Sequence, residues 1–290
     1  MNKKYAAIDI GSNTVQMLIA EYDNEDKLVK RENHLITTRL GDCLPNGDLA
    51  SKAIADTASA IAEFTKYAKD AKVDKIRILA TSAARDADNK NDFLAAMKKV
   101  TDTQVEIIDG AMEAMLSYKG ACASVEVPVG SPVIDSGGSS TELICELENG
   151  PIIATSIDIG AVRAKKNGWS VKEIRKIVRE NFSLEGTNGT AVGVAGTITA
   201  IAGVLAGLEK YDRDAIEGMI IKPTQLRELL KTLSVMDIKE RCAYSPLLEK
   251  RGEIIQQGLE IWIALCNTLH IKKIVVCGGG ILDGAISDMI

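Results

Sequence analysis

The sequence has few aromatic residues and few histidines, and both shortages limit what the chain can do. Phe, Trp and Tyr make up 4% of the 290 residues, and His34 and His270 are the only histidines. Proteins that stack the bases of single-stranded nucleic acid need exposed aromatic rings, so this class of function is disfavoured. The six cysteines are scattered without a CxxC pair: Cys43, Cys122, Cys145, Cys242, Cys266 and Cys277. A structural zinc site is therefore not expected, and reduced thiols in a cytoplasmic protein are the simpler interpretation.

Net positive charge and clear membrane segments are lacking too. The formal net charge is −5, so a polyanionic ligand needs a local basic patch and specific nucleic-acid binding is not expected. Met1 to Tyr5 is polar and predicts no secretory signal. The run 190–208, TAVGVAGTITAIAGVLAGL, is uncharged and long enough to raise the question of a membrane span. Its four glycines and three threonines instead favour a buried strand, a glycine turn and a helix, with no membrane association.

An internal repeat is the most informative feature that is present. AAIDIGSNTVQMLIAE near the start reappears in form as SPVIDSGGSSTELICE, with Asp9 matching Asp135 and Gly11 matching Gly137. Each copy has apolar residues, a Gly-containing turn and a second apolar run, which predicts a β-hairpin. Two copies predict two similar domains, each of which opens with this hairpin.

Strands and helices alternate along the rest of the chain. Strands are predicted at 27–36, 75–80, 104–108, 151–157 and 273–277. Helices are predicted at 49–71, 91–100, 111–123, 171–182, 223–234 and 248–269, before a short final helix. This alternation predicts an α/β fold with helices on both faces of the sheets. Pro and Gly residues in 125–132 predict a domain boundary there. The first domain is then 1–124, joined by a C-terminal helix at 280–290, and the second domain is 125–279.

The turns of the two hairpins have the composition of phosphate-binding loops. They consist of Gly11, Ser12, Asn13 and Thr14 in one copy and Gly137, Gly138, Ser139 and Ser140 in the other. Backbone N–H groups can approach phosphate oxygens where side chains are small, and a preceding Asp can hold Mg²⁺ or water. Ordinary hairpin turns favour the same residues, but two matched copies that both carry the Asp favour phosphate binding.

Two further glycine-rich segments stand where a strand meets a helix. They are 194–197 and 277–280, and the first contains Gly196 and Thr197. A helix N-terminus can accept an anion, although tight packing of a strand against a helix also requires glycine. We expect all four turns to converge on one cleft.

Six segments of the sequence resemble motifs of a known protein family. AIDIGSNT, ATSAARDADN, VIDSGGSSTEL, SIDIGAVR, AGTITAIAG and GILDGAI resemble, in order, motifs of the exopolyphosphatase and guanosine pentaphosphate phosphohydrolase (Ppx/GppA) family. The resemblance covers nearly the whole chain. It implies two duplicated actin-like (ribonuclease H-like) domains with an interdomain cleft, and a homodimer. Longer family members carry an added C-terminal helical domain with a His-Asp signature, which is not found in this sequence.

The resemblance also implies roles for acidic residues. The segment IDGAMEAMLSYKG resembles the family's glutamate motif and places the catalytic glutamate at Glu113, where a carboxylate can act as general base. Asp135 and Glu142 match the family's acidic pair, catalytic and metal-holding, and Asp9 is a further expected ligand of Mg²⁺ or another divalent cation. On spacing alone, Glu113 could equally be a solvated charge on a helix.

Arg85 matches the arginine of the ATSA motif and is expected to clamp a phosphate, although a surface ion pair with Asp86 or Asp88 is the alternative. The chain departs from the family pattern at three places. Ser139 replaces a glycine, Met115 replaces an arginine, and the segment 251–253 reads Arg-Gly-Glu in place of Arg-Ala-Asp.

A basic segment spans residues 163–179. It holds seven basic residues and one acidic residue. In a chain of negative net charge it is either a track for a long polyanion or a solvated helix face.

The expected function is hydrolysis of the terminal phosphate of polyphosphate or guanosine pentaphosphate by metal-assisted attack of water. Two alternatives stay open: an ATPase or kinase of the same superfamily, and a non-catalytic sensor of polyphosphate or alarmones.

Overall fold

A computed structural model of the protein describes residues 2–42, 47–146, 152–184 and 187–290. The chain forms two compact units, one of residues 1–120 with 281–290 and one of residues 121–280. The change of unit at residue 120 falls near the end of a helix, whereas the sequence pattern placed it at 124. Cys43 lies outside the described residues.

The first unit contains a five-stranded sheet. Its strands are β1 (Lys3–Ile10), β2 (Thr14–Tyr22), β3 (Leu28–Thr37), β4 (Lys75–Ala80) and β5 (Val105–Ile107). Its helices are α1 (Ser51–Asp70), α2 (Ser82–Arg85), α3 (Lys90–Lys98), α4 (Gly110–Cys122) and, from the end of the chain, α12 (Ile281–Ser287). The strand order is β3-β2-β1-β4-β5, with the first three strands antiparallel and β4 and β5 parallel to β1.

The second unit contains a six-stranded sheet. Its strands are β6 (Val133–Ser136), β7 (Thr141–Glu146), β8 (Ile152–Ile157), β9 (Thr190–Val194), β10 (Ile220–Ile221) and β11 (Lys273–Val276). Its helices are α5 (Ala161–Lys166), α6 (Val171–Asn181), α7 (Ala195–Leu205), α8 (Arg213–Ile216), α9 (Pro223–Ser234), α10 (Ile238–Tyr244), a 3-10 turn at Pro246–Leu248 and α11 (Ile255–Thr268). The strand order is β10-β11-β9-β6-β7-β8.

The two sheets repeat one topology. In β8-β7-β6-β9-β11 the strands have the order and the directions of β3-β2-β1-β4-β5, and β10 is an added antiparallel edge. The predicted α/β class and the duplication inferred from the two hairpins are both confirmed.

The central strand of the first sheet is buried on both faces. Because side chains alternate along a strand, Ile8 and Ile10 pack into one apolar cluster and Tyr5 and Ala7 into another. The first cluster takes side chains from α1 and α3, and the second takes them from α4 and α12. Helices therefore cover both faces of this sheet, as the alternation of elements predicted.

The predicted helix at 248–269 is wrong at its beginning, because α11 starts only at Ile255. Before it, Gly252 approaches Cys242 so closely that a Cβ there would lie 2.6 Å from the cysteine Sγ. The segment 190–208 forms strand β9 and helix α7, as predicted. Across the described ranges, no helix has both the length and the apolar character needed to span a bilayer.

Candidate active site

The first glycine turn, residues 11–14, closes the hairpin of β1 and β2. The amide of Gly11 donates to the carbonyl of Thr14 at 3.0 Å, and the carbonyl of Ser12 accepts from the amide of Gly41 at 2.7 Å. A Cβ on Gly41 would lie 2.9 Å from the Cβ of Ser12, so the close approach requires glycine. The turn is thus held by the chain that follows β3.

The second glycine turn, residues 137–140, repeats this construction between β6 and β7. The amide of Gly137 donates to the carbonyl of Ser140 at the same 3.0 Å. A Cβ on Gly160 would lie 2.4 Å from the carbonyl carbon and oxygen of Gly138, so glycine is again required where the chain after β8 crosses the turn. The duplication therefore extends to individual hydrogen bonds.

The two hairpins differ in their acidic residues. Asp135 lies directly opposite Glu142 on β6 and β7, and both side chains are buried. Directly opposite residues of antiparallel strands share a face, so two carboxylates lie side by side. Ser156 donates to Oε1 of Glu142 at 2.7 Å. In the first hairpin the residue opposite Asp9 is Gln16, so the paired carboxylates belong to the second unit alone.

This carboxylate pair fits the requirements of Mg²⁺. Mg²⁺ is usually bound through one or two carboxylates, with water and substrate phosphate completing its octahedron. Among the residues that the structure describes, no group of three His, Cys, Asp or Glu side chains is arranged to hold a metal ion. Asp135 and Glu142 are two carboxylates that could bind such an ion together with water and a phosphate.

Glu113 and Arg85 lie together in the first unit. Glu113 is buried in the first turn of α4, and its Oε2 accepts from Nη1 of Arg85 at 3.0 Å. The same nitrogen donates to the carbonyl of Ile108 at 3.1 Å, while Nε of Arg85 lies 3.7 Å from Asp86. The guanidinium of Arg85 therefore fixes the position of the Glu113 carboxylate. Arg85 also makes the ion pair with Asp86 that was considered as its alternative role.

The ATSA segment is joined to the first turn. The Oγ atoms of Ser12 and Ser82 are 3.3 Å apart and buried, and Oγ1 of Thr81 donates to the carbonyl of Ile10 at 3.4 Å. Arg85 belongs to the short helix that Ser82 begins. The first unit therefore brings together the first turn, Arg85 and Glu113.

The third turn reveals an arginine to which the sequence analysis gave no role. Ala195 has a φ of 73°, a left-handed conformation that is uncommon outside glycine. A Cβ on Gly196 would lie 2.3 Å from Nη2 of Arg251, and one on Gly258 would lie 2.5 Å from Cγ2 of Thr197. Burial lowers the pKa of Arg251. The Arg251 guanidinium thus contacts the backbone at the N-terminus of α7. The positive charge of the guanidinium and the positive end of the helix dipole both favour an anion there.

The fourth turn, residues 277–280, is held by a carboxylate of the protein. The amide of Gly278 donates to Oε2 of Glu217 at 3.1 Å, and the buried Arg213 donates its Nε to the same oxygen at 3.1 Å. Arg213 also donates to Oγ of Ser124 at 2.8 Å. The amide of Gly278, the first glycine of this turn, therefore already donates to a carboxylate of the protein.

The basic segment divides into two parts. Arg163 donates its Nε to the carbonyl of Ser139 at 2.7 Å, and Lys165 pairs with Glu253 at 2.6 Å. On α6 the exposed basic side chains follow helical i, i+3, i+4, i+7 spacing, and we name them the α6 basic stripe: Lys172, Arg175, Lys176 and Arg179. Lys165 and Lys166 are exposed as well, but the stripe is the part of the segment that presents four exposed cations along one helix.

Comparisons with known proteins agree with the motifs. The profile of the Ppx/GppA phosphatase family matches residues 18–290. A protein of Mycobacterium tuberculosis named exopolyphosphatase 2 is 31% identical over 97% of this chain and 97% of its own length. A guanosine-5'-triphosphate,3'-diphosphate pyrophosphatase of Aeromonas salmonicida is 26% identical over 97% of this chain, which spans 58% of that longer protein.

The crystal structure of a Ppx/GppA family member from Aquifex aeolicus has the same fold. It superposes with a TM-score of 0.83 at 24% identity and covers 100% of this chain and 98% of its own. The expectation of two actin-like domains is thereby confirmed.

Proposed function

Because the chain belongs to the Ppx/GppA phosphatase family, we propose that it hydrolyses the terminal phosphoanhydride bond of inorganic polyphosphate or guanosine pentaphosphate. The observation that carries the proposal is Glu113, a buried carboxylate held by Arg85 at 3.0 Å in the first turn of a helix. A positioned carboxylate of this kind is suited to accept a proton from an attacking water.

In the proposed reaction, water attacks the terminal phosphorus while Glu113 takes its proton. A new P–O bond forms to the water oxygen, the bridging P–O bond breaks, and the shortened chain leaves as a phosphate anion. Backbone amides of the first turn and Arg85, which belong to the same unit as Glu113, would stabilise charge on the transferred group. Asp135 and Glu142 would hold Mg²⁺, which would neutralise phosphate charge when bound.

Polyphosphate is the first candidate substrate. The relative named as an exopolyphosphatase is matched over 97% of its length, whereas the guanosine pentaphosphate relative is matched over 58%. Guanosine pentaphosphate stays the second candidate, because the matched part of that relative covers nearly all of this chain.

The deciding experiment measures phosphate release from long polyphosphate, tripolyphosphate, guanosine pentaphosphate and ATP, with Mg²⁺ and with excess chelator. We expect Mg²⁺-dependent release from at least one of the first three, strongly reduced by Asp135→Asn and Glu142→Gln. Activity that persists in chelator would contradict the metal role. Robust turnover of ATP alone would favour the kinase or ATPase alternative, and tight polyphosphate binding without turnover would favour the sensor.

We propose further that the protein is a homodimer, as the family resemblance implies. Light scattering on the purified protein measures its mass against the 31.1 kDa of one chain. A mass of one chain at micromolar concentration would contradict the proposal.

A further inference from the structure

All four carbonyl groups of the second turn, residues 137–140, accept hydrogen bonds from the protein. The amides of residues 161–163 donate to the first two carbonyls at 2.8 to 3.2 Å. The third carbonyl, that of Ser139, accepts from Nε of Arg163 at 2.7 Å. The fourth accepts from the amide that opens the turn, at 3.0 Å. Each carbonyl group of the turn is therefore fixed by a hydrogen-bond donor of the protein.

This tethering sets the direction of the N–H groups. In a trans peptide the C=O and N–H bonds point to opposite sides of one rigid plane. When the carbonyls of residues 137–139 are held toward the 161–163 segment, the N–H groups of residues 138–140 turn to the opposite side. Successive N–H groups that converge in this way form a concave site for an anion.

The first turn performs the same task without a side chain. Its Asn13 matches Ser139, and the carbonyl of Asn13 accepts from the backbone amides of Thr38 at 3.2 Å and Arg39 at 3.1 Å. In the second turn the matching carbonyl is held by the guanidinium of Arg163. At this one position, an arginine side chain in the second unit makes the hydrogen bond that backbone amides make in the first unit.

We propose that Arg163 is the positioning residue of the second phosphate turn, because it orients the peptide that carries the Ser140 amide. The guanidinium can donate in two directions at once, to Ser139 through Nε and toward Asp158 through Nη2, at 3.4 Å. Asp158 is 72% exposed, so that ion pair contributes less than the hydrogen bond to Ser139. A lysine at this position lacks the planar, forked arrangement of N–H donors that a guanidinium has.

The kinetic test rests on the proposed function. Arg163→Ala is expected to lower kcat by roughly 10- to 100-fold with KM changed less than about threefold, a smaller loss than outright removal of a catalytic donor. Methylguanidinium added to the solution should restore several-fold of this loss, and Arg163→Lys should retain only part of the activity. Arg227→Ala, which removes an exposed guanidinium of the same unit, is the matched control.

A second measurement needs no substrate. Hydrogen exchange in peptides that cover residues 137–141 and 160–164 should become at least about fivefold faster in Arg163→Ala, and not in Arg227→Ala. Unchanged exchange overturns the proposal, even if kcat falls, because Arg163 would then act on the substrate directly. A kcat equal to that of Arg227→Ala overturns it as well. If the wild-type protein releases no phosphate at all, the proposed function fails, while the exchange measurement still decides the role of Arg163.

Discussion

At the scale of single residues, Glu113 carries the most specific expectation. Glu113→Gln keeps the size of the side chain but removes the base, so kcat should fall by roughly 10²–10⁴ with substrate affinity within a few-fold. The measurement is phosphate release under saturating substrate, together with equilibrium binding. Glu63→Gln, an exposed change on α1, should match the wild type. A Glu113→Gln enzyme with wild-type kcat would show that the base lies elsewhere.

Buried thiols predict a loss of stability in alkali. Burial raises the pKa of Cys266 from 9.0 to about 12, and it also raises the pKa of Cys145. Above pH 9 the unfolded thiol ionises while the folded one stays protonated, so the unfolded state binds fewer protons. The Cys266 thiol should then lower the free energy of unfolding by about 1.4 kcal/mol per pH unit between its two pKa values.

Urea unfolding at pH values from 8 to 10.5 measures this slope. Cys266→Ala should make the slope shallower than in wild type, whereas Cys122→Ala, at an exposed thiol, should leave it unchanged. Identical slopes in all three proteins would contradict burial of the Cys266 thiol.

At the scale of elements, α1 ends in a left-handed residue that is not glycine. The amide of Val73 donates to the carbonyl of Ala68 and that of Lys72 to Lys69, both at 3.0 Å, a Schellman ending with Lys72 at φ 57°. Lys72→Gly should raise the free energy of unfolding by about 1 kcal/mol, because glycine adopts this conformation without steric cost.

The matched control for this change is Lys66→Gly, at an exposed position inside the same helix. It should lower the free energy of unfolding by about 1 kcal/mol, because glycine is a poor helix former. Equal effects of the two substitutions in a denaturant titration would contradict the assignment of the helix end.

The success of sequence reasoning depended on the kind of signal each element carries. Strand β4 and helix α9 were predicted at their observed bounds, since their apolar periodicity and flanking breakers are local. Helix α10 was missed because none of its seven residues is buried, so it has no apolar periodicity to detect. Arg251 and Glu217 were missed because each reaches its glycine turn from more than 50 residues away in sequence.

At the scale of the whole molecule, the duplicated units are alike in backbone and unlike in chemistry. Both have the same strand order and the same turn hydrogen bond at 3.0 Å. The repeated motifs made that predictable. The aligned motifs also match Gln16 to Glu142, and the strand registers show that each of these residues lies directly opposite the aspartate of its own hairpin. The duplicated hairpins therefore share the glycine turn, but only the second hairpin has a pair of opposed carboxylates.

Charge distribution over the chain yields the last prediction. With net charge −5, the protein can attract a long polyanion only through a local patch, and the α6 basic stripe gathers four exposed cations of the basic segment on one helix. Lys172→Glu, Lys176→Glu and Arg179→Glu together should lower kcat/KM for long polyphosphate far more than for tripolyphosphate. Long chains meet these cations beyond the reacting end, whereas short substrates do not.

The defect should shrink as salt is added, because exposed charges are screened beyond about 10 Å at 0.1 M ionic strength. The matched control reverses three other exposed charges of the same unit, Lys231, Lys239 and Lys250, and so changes the net charge by the same amount. If both triple variants lose activity alike, the effect comes from net charge and not from a track. If long and short substrates lose activity equally, the stripe is a solvated helix face or touches the catalytic site itself. If neither substrate loses activity, the stripe has no role, and guanosine pentaphosphate becomes the favoured substrate.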